Sequence, residues 1–207
     1  METQLFNLNG YTDLPEGKVA SIVTYLDMRA RPLLRAEDRP DLRLKKVVSP
    51  DLTEYRELFR RIGEDWLWFG RLVMDDAELS ALFAEPAREL YFPMSGRDTI
   101  GVLELNFADP KNAELAYFGL VPEAIGGGAG RWLMKKALDI VWARPETERF
   151  WLHTCTADSQ QALGFYRSVG FKPYKRAIEI ADDPRLKGLL PEASAPHLPL
   201  IEERSRD

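Results

Sequence analysis

Four glycines fall within five residues at 126–130, Gly-Gly-Gly-Ala-Gly, and Arg131 follows at once. Glycine takes positive φ freely and lets a ligand approach the main chain closely. The first turn of a helix has N–H groups without partners and the positive end of the peptide dipole. A glycine run that opens a helix is therefore a ready anion site, most often for phosphate, or else a flexible N-cap. Two nucleotide patterns do not fit. The pattern G-x-x-x-x-G-K-S/T needs a Lys-Ser or Lys-Thr that is missing. The pattern G-x-G-x-x-G fails because Gly126 and Gly128 are followed three positions on by Arg131.

Other residues carry chemistry with less definition. Glu104 interrupts an apolar strand, Gly101-Val102-Leu103-Glu104-Leu105. Burying it is costly without a purpose, whereas alternation allows it a solvent-facing side. Glu114 opens the following strand. Asp158 reads first as a helix cap. His153 and Cys155 are two apart on one strand and share a face. They invite a nucleophile pair, but no third group orients them, and Cys155 reads better as a small core residue. Two histidines and one cysteine make no metal cluster, and one cysteine makes no disulfide framework. Trp66, Trp68 and Phe69 read as ordinary core.

The elements that must position these groups follow from patterning. Residues 18–28 form a strand, then a charged connection leads to a second at 42–48. Ser49 before Pro50 reads as an N-cap and N1 pair, with Asp51 and Glu54 as an alternative capping box, for a helix carrying Leu52, Tyr55, Leu58, Phe59 and Ile62 on helical spacing. Asp75 and Glu78 signal a short second helix that Pro86 ends. Strands at 89–94, 99–107 and 113–121 with short turns make an antiparallel meander. Residues 113–156 then read as strand, glycine loop, helix (131–141) and strand (150–156), long enough for a parallel crossover. A last helix runs from Asp158 or Ser159 to Val169, with Gly170 as its C′ residue, and a strand at 171–180 follows. The fold class is α/β (α+β) with a mixed sheet. The organisation is an N-terminal extension with a strand at 1–41, a domain at 42–181 and a Pro- and charge-rich tail at 182–207.

Two segments resemble the GNAT acetyltransferase superfamily. Leu120-Val121-Pro122-Glu123-Ala124-Ile125-Gly126-Gly127-Gly128-Ala129-Gly130-Arg131 is similar to its acetyl-CoA loop, V-x-P-x-x-R/Q-G-x-G-I/V/A-G. Residues 159–171, Ser-Gln-Gln-Ala-Leu-Gly-Phe-Tyr-Arg-Ser-Val-Gly-Phe, are similar to its N-x-x-A-x-x-L/F-Y-x-x-x-G-F motif. Their order and separation agree as well. Two positions depart: Ile125 stands where the family carries Arg or Gln, and Ser159 where it carries Asn.

The resemblance implies the GNAT fold and direct acetyl transfer from acetyl-CoA, used as co-substrate without a metal, to a primary amine. Gly126, Gly127, Gly128, Ala129, Gly130 and Arg131 would hold the pyrophosphate, and the main chain of Leu120 and Val121 the pantetheine arm, in a gap between splayed strands. Ser159 would bond that arm or cap its helix. Tyr166 would protonate the leaving thiolate, a phenol (pKa ~10) standing just above a thiol (~8.5). An alkylammonium (~10.4) must lose a proton before attack, and Glu104 is the expected acceptor of it, ahead of Glu114. The aromatic cluster at 66–69 would line the acceptor pocket. The acceptor class is a small molecule or a protein N-terminus, and a homodimer is common for this fold. The alternative is a non-catalytic acyl-CoA-binding or regulatory domain, which Ile125 favours and Tyr166 opposes.

Composition bounds these readings. The 207 residues suit one domain with appendages. Net charge is −5, whereas duplex nucleic-acid binders are more often basic. No apolar run spans a bilayer and the first ten residues lack a signal-peptide pattern, so no membrane or nucleic-acid partner and a cytoplasmic location are expected.

Overall fold

The computed structural model describes residues 6–201, so residues 1–5 of the N-terminal segment and 202–207 of the tail lie outside it. Strand β1 (Lys18–Met28) and β2 (Leu42–Val47) precede helix α1 (Leu52–Gly63). The cap of α1 is Asp51 and not Ser49: its carboxylate accepts from the Glu54 N–H at 3.0 Å, and Pro50 stays outside the helix. Tyr55, Phe59 and Ile62 recur at helical spacing and are buried. A 3₁₀ turn at 64–66 leads to α2 (Asp76–Ala84), where Asp75 and Glu78 form the expected reciprocal capping box.

The meander follows as β3 (Arg88–Ser95), the two-residue β4 (Asp98–Thr99), β5 (Gly101–Asn106) and β6 (Asn112–Leu120). The expected strand at 99–107 is thus broken at Ile100, whose N–H bonds instead to Pro93 O at 2.9 Å. Next come α3 (Ala129–Trp142), β7 (Arg149–Cys155), α4 (Ala162–Ser168) and β8 (Lys172–Asp182). Helix α4 starts later than expected, and neither Asp158 nor Ser159 caps it: Asp158 accepts from Trp68, Thr154 and the Cys155 N–H, and Ser159 bonds with Gln161.

The strands form one open mixed sheet in the order β2-β3-β5-β6-β7-β1-β8, with β4 paired to β3. All pairings are antiparallel except β6 with β7. Strand β1, from the N-terminal segment, lies between β7 and β8 and pairs with both. Two apolar layers flank the sheet. One joins it to α3 through Leu103, Leu105, Leu133, Ala137, Val141 and Phe150. The other joins it to α1 and α2 through Tyr55, Phe59, Leu79, Phe83, Leu90 and Val102.

Candidate active site

The site originates in how β6 and β7 part. They pair in parallel only at Asn112–Arg149, Ala113–Phe150 and Glu114–Trp151. On its other side β6 carries a bulge: Glu104 of β5 faces Tyr117 while Leu105 faces Leu115, which leaves Ala116 as the extra residue. Beyond Glu114 the β6 edge toward β7 is unpaired, so its main-chain groups are open to an added strand-like ligand. A cavity of about 470 Å³ fills the opening, a volume suited to a small ligand. Its walls are β6 from Glu114 to Leu120, the β7 end at His153 and Cys155, the segment Trp66–Arg71, and the stretch Ala157–Ser159 with Tyr166.

At one end of β6 the chain makes a 3₁₀ turn at 122–124 and enters the glycine loop. Gly126 (φ 90°) and Gly128 (φ 81°) are left-handed, a conformation L side chains rarely adopt, whereas Gly127 is not. Gly128 is the N-cap of α3 and no side chain caps the helix, so its first-turn N–H groups are open to an anion. Arg39 lies beside the loop, donating to Gly127 O and bound bidentately to Asp41 at 2.9 and 2.6 Å. Ile125 is 63% exposed and lines both the cavity and a second hollow on the Arg39 side of the loop. The Arg131 side chain points elsewhere, to Arg35 O and the Ser168 hydroxyl at 3.4 Å each. Only its main-chain N–H belongs to the loop.

Tyr166 lines the cavity from α4 and packs against Phe118, Phe165 and Phe171. Burial, and then the charge of Asp158, push its phenol well above the usual value, so it stays protonated. Asp158 is fully engaged: Trp68 Nε1 donates to it at 3.1 Å, the Thr154 hydroxyl at 2.6 Å and the Cys155 N–H at 3.0 Å. It therefore ties the aromatic segment to the end of β7. Ser159 lines the cavity, donating to Gln161 Oε1 at 2.6 Å while accepting from the Gln161 N–H. Burial and then Asp158 raise the Cys155 thiol, which suits a packed thiol and not a nucleophile. His153 is exposed at the cavity edge.

Glu104 is placed differently from its expected position at the acceptor site. It is fully buried and does not line the cavity. The Tyr55 hydroxyl donates to one oxygen, Arg71 Nη2 donates to the other at 2.8 Å, and Arg88 Nη1 stands 3.8 Å from the latter. With no accessible surface and no place on the lining, the carboxylate is not presented to a substrate amine. Glu114, by contrast, lines the cavity and accepts one hydrogen bond, from Asn106 at 3.0 Å. The aromatic residues at 66–69 also line it, Trp68 packing on Phe59 and Tyr117.

Arg71, Arg88 and Tyr117 are site residues that the sequence reading passed over. The Arg71 guanidinium lies 4.6 Å over the Tyr117 ring. The segment comes this close because residue 70 is glycine: a Cβ there would meet the Tyr117 hydroxyl at 2.5 Å. Burial raises the Tyr117 phenol to about 12, with Arg71 opposing the rise. One signal in the sequence pointed to the arginines, a glutamate inside an apolar strand, which needs a buried cation.

Comparison with known proteins agrees with this geometry. Residues 52–171 match the acetyltransferase (GNAT) family. No curated protein matches the chain. Among solved structures, a conserved protein of unknown function from Staphylococcus epidermidis superposes with a TM-score of 0.56 at 14% identity, covering 81% of this chain and 64% of its own. A GCN5-related N-acetyltransferase from Kribbella flavida gives 0.54 at 18% identity, over 83% of this chain and 63% of its own. An aminoglycoside acetyltransferase from an uncultured soil metagenomic sample gives 0.51 at 17% identity, over 63% of this chain and 88% of its own. The chain thus spans less than two thirds of the first two, and at these identities the likeness is one of fold. The family match runs from the first residue of α1 past the end of α4, through the glycine loop and Tyr166, and the chain belongs to the GNAT acetyltransferase family.

Proposed function

We propose that the chain transfers the acetyl group of acetyl-CoA directly to a primary amine of a small molecule or a peptide N-terminus. The observation that carries this reading is the parting of β6 from β7 after Glu114, with the glycine loop at one end of the opening and Tyr166 on its wall. The unpaired β6 edge suits the amides of a pantetheine arm, and the uncapped start of α3 suits a pyrophosphate. The amine nitrogen attacks the thioester carbonyl, and the C–S bond breaks as the tetrahedral adduct collapses. The Tyr166 hydroxyl gives its proton to the departing sulfur. Glu114 takes the proton that the amine loses, directly or through water. Glu104 serves as the buried counter-ion of Arg71. No helix among the described residues is long and apolar enough to cross a membrane.

Calorimetric titration with acetyl-CoA, with ATP as control, tests the first half of the proposal. Binding of acetyl-CoA and not ATP supports it, and no binding defeats it. Thiol release from bound acetyl-CoA in an amine screen tests the second half. Tight binding with no release for any amine favours the non-catalytic alternative, for which Ile125 in place of Arg or Gln is the motivating residue.

A further inference from the structure

The charge on the cavity wall is uneven, and the unevenness bears on which amine the site accepts. Arg71 and Arg88, the latter opening β3, both line the cavity. Their side chains are 13% and 11% exposed, and Glu104 beneath them is wholly buried. One carboxylate faces two guanidiniums, so a unit of positive charge is left at the wall. Glu85 stands 3.7 Å from Arg88, but its side chain is 52% exposed and its charge is screened by solvent. The Nε–H of Arg71 and the Nε–H of Arg88 are each buried with no hydrogen-bond partner. The Tyr117 ring beneath Arg71 holds that guanidinium plane in place. The acidic groups on the lining, Glu114, Asp158 and Glu179, come from other elements: β6, the connection into α4, and β8.

A cavity with two guanidiniums at one wall and carboxylates at others matches a ligand carrying both charges. We propose that the acceptor is a small amine that also bears a carboxylate, of the amino-acid type, and that Arg71 and Arg88 hold this carboxylate. Guanidinium and carboxylate match as a planar two-point fork. A polyamine or other polycation would set a second positive charge against the two arginines. The proposal rests on acetyl-CoA-dependent amine acetylation, and its test keeps the two separable.

The full chain, with acetyl-CoA binding first verified by calorimetry, is assayed by thiol release against amino acids, the matching amino-acid amides and a polyamine. The expected result is a kcat/KM for the best free acid on the order of 100-fold above its amide, residing mostly in KM. Arg71→Gln is expected to bring the ratio close to one. Arg71→Lys, which keeps a cation beside Glu104 but not the fork, is expected to fall between, and guards against loss of folding in the first variant. Equal use of acids and amides, preference for the polyamine, or no turnover of any acid by protein that binds acetyl-CoA overturns the carboxylate assignment. Failure to bind acetyl-CoA overturns the underlying reading instead.

Discussion

At the scale of single residues, Tyr166 lines the cavity whereas Glu104 is buried off it. Tyr166 packs through its ring, so Tyr166→Phe preserves the packing and removes only the hydroxyl. We expect kcat to fall about 100-fold with little change in melting temperature. Because burial and Asp158 hold the phenol above its ordinary value, the proton-donating form persists, and the activity should show no alkaline fall from this group below about pH 10. A fall near pH 8 that disappears in Tyr166→Phe would place a normal or depressed phenol there and contradict the geometry. Glu104→Gln should act on stability: it leaves Arg71 and Arg88 without their buried anion, a loss of about 3–5 kcal/mol by urea unfolding. Glu114→Gln should leave stability within about 0.5 kcal/mol and lower kcat/KM. The reverse pattern in the two glutamate variants would return Glu104 to the role first expected of it. Sequence reasoning identified Glu104 as costly to bury, yet its partners sit 16 to 49 positions away, at Arg88, Arg71 and Tyr55, beyond any local pattern.

At the scale of elements, most of the positioning was legible because its causes are local. The Asp75 cap, the meander and the glycine-to-helix junction each depend on residues a few positions apart, whereas the choice between Ser49 and Asp51 as the cap of α1 was left open. The bulge at Ala116 was not legible, since it depends on how β5 and β6 register against each other. The loop gives a sharp test of backbone conformation. Gly128→Ala imposes a side chain on a φ of 81° and should cost about 1–2 kcal/mol. Gly127→Ala meets nothing closer than Arg39 Nη1 at 3.9 Å and needs no left-handed backbone, so its stability should stay near that of the parent. Acetyl-CoA affinity by calorimetry should drop about ten-fold in Gly128→Ala and less in Gly127→Ala. Equal effects would mean that the ligand reads the room above the loop and not its conformation.

At the scale of the whole molecule, the site depends on both ends of the chain. Strand β1 holds the end of β7 that carries His153 and Cys155, pairing Val23 with Cys155 and Tyr25 with His153. Periodicity found the strand but not its place between β7 and β8, because pairing over more than 120 positions leaves no local trace. A chain beginning at residue 42 should accordingly fail to give a cooperative unfolding transition. The stretch after β8 also carries structure: Leu190 and Ala195 are buried in the α1–α2 layer, and His197 Nε2 lies 3.1 Å from Ala157 O, beside Trp66 on the cavity wall. Its anchor is Arg185, 4% exposed, bidentate to Asp183 at 2.9 and 2.7 Å and donating to Ser194 O and Leu198 O at 3.1 and 2.8 Å. Burial acts to raise the Asp183 carboxyl, but the Arg185 fork outweighs it and holds the group below the usual range. A depressed carboxylate contributes stability that is full above its unfolded pKa of about 3.9 and is lost as pH falls through the lower folded value. Asp183→Asn should therefore cost about 3 kcal/mol at pH 7 by urea unfolding, and the gap to the parent should begin to narrow only below about pH 4. A gap that is unchanged down to pH 3 would mean that the tail is held by its apolar contacts and Arg185 carbonyl bonds alone, without help from the charge of Asp183.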